Sequence, residues 1–300
     1  MNPFRQVAQT FAIASLFTIV YLSVINLAGL KASLGETNYQ ANMIRLGDFF
    51  YGPNKDAVLV GSSIAGRILP KYFENSGLEV ANLGLDGAVL LTGLEIIAER
   101  GYPTRLLLLE TETIDAVQGP NDQAVVEGLS NLSFRLARWL PLLRASSRPS
   151  SIIYSKLKGW RDRSIDAEAV AGTKRQSIML EPAKQRRGED QVLAKQKVAI
   201  INAIRTAKAS AGCIALVHIP CKGPVEDSRP PSMVDEIAEQ LALPTIDVAR
   251  VMASRGISAQ YSDGTHLIEP SARKVAQIIA ERVSKEFLER GGYIERKATY

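Results

Sequence analysis

The chain has 300 residues and a formal net charge of +5. It is 46% hydrophobic and 22% charged, the composition of a folded protein rather than a disordered one. That length allows one large α/β domain or two small ones. Residues 151–195 hold ten Lys or Arg against six Asp or Glu, a difference of +4, so the rest of the chain is close to neutral. With aromatics at only 6%, this excludes a nucleic-acid binder, which needs a basic face spread over its fold and rings to stack bases.

Between Arg5 and Lys31 the sequence carries no charge for 25 residues. A helix needs about 20 apolar residues to cross a bilayer, so residues 1–31 read as a membrane anchor. A cleaved signal is the first alternative, although its apolar core is shorter and "NLAGLKAS" offers only a poor cleavage site. A buried core helix is the second. With the usual orientation, a single-pass protein of the cytoplasmic membrane is expected, with everything after residue 31 on the extracytoplasmic, periplasmic side. Residues 32–55 read as a polar connector.

From residue 56 a regular alternation begins. Short apolar runs at 57–61 ("AVLVG"), 78–84, 105–111, 213–220 and 245–249 read as buried parallel strands. Between and after them, helical patterns cover 88–100, 194–210, 232–242 and a last helix from Pro270. On that last helix Val275, Ile279, Val283 and Phe287 recur every four residues. Strands alternating with amphipathic helices predict a doubly wound α/β fold with five parallel strands. Residues 112–193 break the rhythm. They hold a predicted helix at 130–145 and then a basic, weakly periodic stretch, read as an insertion over the active face: either a lid or a solvated loop. Lys174, Arg175, Arg186 and Arg187 in that stretch would meet an acidic polymer or lipid headgroups, or simply face water.

Cys213 and Cys221 flank one predicted strand, too far apart for a disulfide, and no metal-ligand spacing occurs; both read as buried thiols. His218, inside the same strand, reads as a hydrogen-bonded core residue. That leaves His266 as the chemically interesting histidine of the two in the chain.

In a doubly wound sheet, ligands bind beyond the carboxyl ends of the strands. The first strand ends "GSS", putting Ser62 and Ser63 at the turn into a helix. The second ends "NLGLDG", with Asn82, Gly84 and Gly87. "DGTH", Asp263 to His266, precedes the last helix. In this order the blocks resemble the SGNH, or GDSL-type, hydrolase superfamily, over roughly residues 55–290 without the insertion.

The resemblance implies a flavodoxin-like sheet and a catalytic Ser63 with His266 as its base and Asp263 as the orienting acid. It implies an oxyanion hole built from the N–H groups of Ser63 and Gly87, and no metal or cofactor. Ser62 stands where that family has aspartate. Its third block, with an asparagine, is missing: "LLLLETETID" offers Glu110, and only Thr111 as a substitute donor. Together with the anchor, the altered block is similar to membrane-tethered relatives that add or remove acyl groups on extracellular polymers. The expected substrate is therefore an ester, acetyl above all, on a cell-envelope glycan. Ser62, Asn82 and Thr111 are candidate substrate contacts, and a membrane acyl-donor protein is a further partner if the reaction is transfer. A catalytically silent module binding a polysaccharide or an assembly partner is the alternative.

Two other motifs fail. "YSKLK" at Tyr154–Lys158 fits a short-chain dehydrogenase, but no strand precedes it and the dinucleotide glycines are absent. An α/β-hydrolase elbow needs a glycine one place earlier than Gly66.

Overall fold

The computed structural model describes residues 3–32, 35–158, 190–263 and 265–285. The basic residues Lys174, Arg175, Arg186 and Arg187, and most of the weakly periodic stretch, lie outside them. The chain forms two compact units, one comprising residues 1–51 and 127–174 and the other residues 52–126 and 175–300.

The second unit is built on five strands: β1 (Ala57–Ser62), β2 (Val80–Leu85), β3 (Thr104–Glu110), β4 (Ala211–His218) and β5 (Thr245–Asp247). They form one all-parallel sheet in the order β2-β1-β3-β4-β5. This is the doubly wound α/β architecture that the apolar runs imply. Val58, Leu59, Val60 and Leu107 to Leu109 are completely buried, so both faces of the central strands are covered and the strands read as unbroken apolar runs rather than alternating ones.

Alternate residues serve opposite faces. Ala57, Leu59, Leu106, Leu108, Ala215 and Val217 share a cluster with Val275, Ile279 and Val283 of the last helix, Glu269–Val283. On the other face, the helix Leu90–Arg100 comes so close that a Cβ on Gly93 would sit 2.5 Å from Val60 Cγ1. Pro at the first turn of Glu269–Val283 supplies a helical φ where no N–H is needed.

In this strand order the chain steps from β1 outward to β2 and then returns across β1 to β3. The switch point of the sheet therefore lies between β1 and β3, where α/β sheets open a crevice at their carboxyl ends. Ser63 follows β1, and Glu110 ends β3.

The other unit contains α1 (Pro3–Leu27), a 25-residue helix long and apolar enough to cross a membrane. Its described side chains are mostly exposed, but Ile25 is buried and Ser15, Thr18 and Leu22 are half-buried along one stripe. The residues read as a connector in fact hold a second helix, α2 (Asn38–Tyr51), burying Met43, Ile44, Leu46 and Phe49.

The helix expected at 130–145 is not continuous. One helix, Pro120–Ser130, ends; Asn131 then caps a new short helix, Leu132–Leu136, by accepting from the Ser133 N–H at 3.0 Å. Pro141 opens a 3-10 turn, since its ring cannot continue the α ladder. Residues 149–158 are helical again.

Candidate active site

β1 ends at Ser62, whose extended backbone and hydroxyl cap the short helix α3 (Ser63–Gly66): the Ser62 Oγ accepts from the Ile64 N–H at 3.2 Å. Ser63 is thereby turned out of the sheet at the carboxyl edge, half-buried. Some 203 residues later, the loop before the last helix is closed by an antiparallel bridge between Tyr261 and Leu267 and by a Ser262 N–H to His266 carbonyl bond of 2.8 Å. Within it, Asp263 Oδ1 accepts from the backbone N–H groups of Thr265 (3.1 Å) and His266 (2.8 Å), so the carboxylate builds the turn that holds the imidazole.

Three side chains from these two segments meet in line. Ser63 Oγ lies 2.7 Å from His266 Nε2, and His266 Nδ1 lies 2.6 Å from Asp263 Oδ2. An ionised carboxylate only accepts, so the ring proton sits on Nδ1, and Nε2 is left to accept from the Ser63 hydroxyl. Burial alone would raise the Asp263 pKa. The hydrogen bonds from the His266 backbone and ring and from the Thr265 N–H outweigh it and hold the carboxyl below its ordinary range.

The other sequence-derived candidates fall differently. Gly87 has a φ of 72°, in a tight turn closed by the Ala88 N–H to the Leu85 carbonyl, a conformation that favours glycine. Ser62 and Leu85 are register partners, so Ser63 and Gly87 leave adjacent strands at one edge.

Asn82, expected as a substrate contact, is spent inside the protein. Its Nδ2 donates to the carbonyls of Ala65 (2.8 Å) and Ile68 (2.7 Å), and its Oδ1 accepts from the Gly84 N–H (2.7 Å). Gly84 is required for a close approach, but to α3 rather than to a ligand: a Cβ there would lie 2.2 Å from Gly66 N. The whole "NLG" segment is thus a clamp on the helix that carries Ser63. Thr111 is 1% exposed and its hydroxyl donates to the Val217 carbonyl at 3.4 Å, which takes it away from any substrate. Ser62 is likewise buried, at 3% exposure.

The sequence offers Glu110 where the third block would have its asparagine, and a free carboxylate there would repel an oxyanion. It is fully buried beneath Ser62, accepting from the Ser62 N–H (2.9 Å) and hydroxyl (2.8 Å) through Oε2 and from the Glu112 N–H through Oε1. Burial, with Glu112 nearby, pushes its pKa up to about 7 despite those donors. The signal in the sequence was a lone acid ending an apolar run, which marks an acid carried inward.

Beyond Glu110, Glu112 Oε2 accepts from the Cys221 thiol at 2.9 Å. Glu112 Oε1 lies 2.7 Å from His218 Nδ1 but off the line a hydrogen bond needs, and His218 Nε2 is 3.1 Å from Ser228 Oγ. His218 is 3% exposed and belongs to the core network. Burial and then Glu112 push the Cys221 thiol far up, and it is an inert group. Burial raises Tyr261 to about 12. Both cysteines are free, Cys221 buried and Cys213 half-buried. Among the described residues no three His, Cys, Asp or Glu side chains converge as metal ligands would.

No protein-family description and no curated protein sequence matches the chain. A solved structure similar to it is the YxiM protein of Bacillus subtilis, at 14% identity and a TM-score of 0.40, over 80% of this chain and 58% of that one. The chain therefore spans 58% of the length of the protein it matches. A likeness this remote bears on neither activity nor substrate.

Proposed function

We propose that the chain is a membrane-anchored serine esterase or O-acyltransferase of SGNH type, with Ser63 as nucleophile, His266 as general base and Asp263 as the group that fixes the imidazole. The observation that carries this reading is the in-line pair of contacts, 2.7 Å and 2.6 Å, between residues brought together from distant parts of the chain. The Ser63 hydroxyl gives its proton to Nε2 as Oγ attacks the ester carbonyl. The imidazolium, stabilised by Asp263, passes that proton to the departing alcohol, leaving an acyl-Ser63 ester. Water, or a sugar hydroxyl in a transferase, loses its proton to Nε2 as it attacks that ester, and Ser63 regains its hydrogen.

The N–H groups of Ser63 and Gly87 are the donors we assign to the oxyanion. With no asparagine from the third block, each of the two counts for more; losing one such donor typically costs about 3–4 kcal/mol. The Glu110 carboxyl is engaged by Ser62 and Glu112 rather than presented to the substrate, which removes the repulsion a free carboxylate would cause. The substrate we assign is an O-acetyl ester of an extracytoplasmic cell-envelope glycan, reached from a bilayer spanned by α1, with a membrane acyl-donor protein as partner if the acyl group is transferred rather than hydrolysed.

The test is turnover of a small aryl acetate by the full chain in detergent or a bilayer. Ser63→Ala and His266→Ala are each expected to lower kcat by about 10⁶-fold with the fold intact. The rival, a silent glycan-binding module, is favoured by the altered third block. It wins if the folded chain shows neither turnover nor a burst of acyl-enzyme with aryl acetate or with an acetylated glycan.

A further inference from the structure

From residue 128 to residue 161 the sequence contains no Asp or Glu, while it carries seven Lys or Arg. The same stretch exposes large apolar side chains that a water-facing surface does not need: Leu132 (66%), Trp139 (76%), Leu140 (53%), Ile153 (59%) and Leu157 (60%). Arg135, Arg138, Arg148 and Lys156 are exposed among them, and the Arg138 guanidinium lies 5.6 Å from the Trp139 ring centroid. On the helical residues 149–158, Ile153 and Leu157 share an outward face four residues apart, while Ser151, Ile152 and Ser155 are buried. Exposed apolar side chains interspersed along the chain with arginine and lysine, with a tryptophan among them, are the chemistry of a bilayer interface.

The position of this stretch against α1 says which surface it meets. Tyr21, six residues before the end of α1, donates from its hydroxyl to the Ser147 carbonyl at 2.5 Å, and the Ala32 N–H donates to the Ser146 carbonyl at 2.8 Å. At about 1.5 Å per residue α1 is about 37 Å long, against a hydrocarbon core of about 30 Å. Tyr21 therefore lies within about 9 Å of the helix end, near the depth at which aromatic belts sit. The turn 145–147, which joins the Leu132–Leu140 stretch to the helical residues 149–158, is held where α1 leaves the membrane.

We propose that residues 132–158 form a second, peripheral membrane contact, with Trp139 and its apolar neighbours entering the interface and the cationic side chains pairing with anionic lipid headgroups. This rests on α1 being a membrane span. The attraction falls off within a Debye length, so it acts only because α1 holds the stretch at the surface.

The full-length Trp160→Phe chain retains Trp139 as its one tryptophan. It is reconstituted into phosphatidylcholine vesicles with and without phosphatidylglycerol, using lipids brominated near the headgroup end of the acyl chain as quenchers. Trp139 quenching is expected to be severalfold stronger with phosphatidylglycerol, and to fall towards the phosphatidylcholine level at high salt or in the Arg135→Gln/Arg138→Gln variant. Equal quenching in both lipids overturns the assignment to anionic headgroups. No quenching in either, or cross-linking between copies through Trp139→Cys, overturns the membrane contact and in the second case gives the face to another copy of the chain. A Phe17→Trp reporter in a chain lacking Trp139 and Trp160, read with lipids brominated near the chain ends, separates the two readings. If it is quenched while Trp139 is not, the anchor stands and the surface contact falls; if it is not, both fall together.

Discussion

At the scale of single residues, Asp263 has two duties that a substitution can separate. Oδ1 shapes the loop by accepting two backbone N–H groups, while Oδ2 fixes the imidazole. Asp263→Asn keeps an oxygen for the first duty. It offers an NH₂ where the ring's Nδ1–H needs an acceptor, which drives the ring to the wrong tautomer. We expect a fold of unchanged melting temperature and a kcat lower by about 10⁴-fold.

Glu110 makes a prediction in pH. Its carboxyl titrates near the ordinary 4.5 in the unfolded chain and at about 7 when folded. The stability it contributes is full below the first value and is lost as pH rises from there through the second, because over that window the unfolded chain releases its proton while the buried acid keeps it. Glu110→Gln lacks this titration. Between about pH 4.5 and about pH 8 its stability relative to the native chain should improve by roughly 3 kcal/mol, read as a shift of urea midpoints; any constant cost of the amide cancels in that difference. A difference that does not change with pH would mean that Glu110 keeps an ordinary pKa.

At the scale of elements, the short helix carrying Ser63 has only 4 residues and cannot hold itself, since an isolated helix needs roughly 12–15 residues to be even marginally stable. It is held by Asn82 and by the bare surface of Gly84. Asn82→Ala would leave two carbonyls and one N–H without their partner. It should cost at least about 2 kcal/mol and, on the proposed mechanism, lower kcat more than it raises KM, because what moves is the proposed nucleophile Ser63. Gly84→Ala should do the same through steric displacement of α3. Both are checked by chemical denaturation alongside aryl acetate kinetics.

The strands were legible in the sequence because a strand buried on both faces must be a continuous apolar run, and that pattern is local. The region 130–145 was not. Leu132, Leu136, Leu140 and Leu143 keep helical spacing across it, but Asn131 and Pro141 impose a start and a stop that periodicity ignores. The helix Asn38–Tyr51 was hidden the other way: its polar residues mask the buried stripe of Met43, Leu46 and Phe49.

For the whole molecule, α1 is the testable feature. A bilayer-spanning helix keeps the chain in the membrane fraction through an alkaline carbonate wash. Phe17→Asp together with Val20→Asp, at about 3 kcal/mol per central charge, should release the chain to the supernatant. Retention of the double variant would mean that something other than this helix holds the protein at the bilayer.

From the sequence by itself came the alternation of strands and helices, the α/β class, the apolar N-terminal helix, and the short set of polar residues that stand where strands become loops. These follow from local pattern and chain order, which the sequence states directly. Only the tertiary structure decided what each of those polar residues touches. It turned Glu110 inward beneath Ser62, spent Asn82 on the helix carbonyls and Thr111 on Val217, and drew Ser63, His266 and Asp263 within hydrogen-bond reach. The reason is one of tolerance. A hydrogen bond is made or lost over a few tenths of an ångström, and that precision comes from packed helices and paired strands acting across a sequence separation of 203.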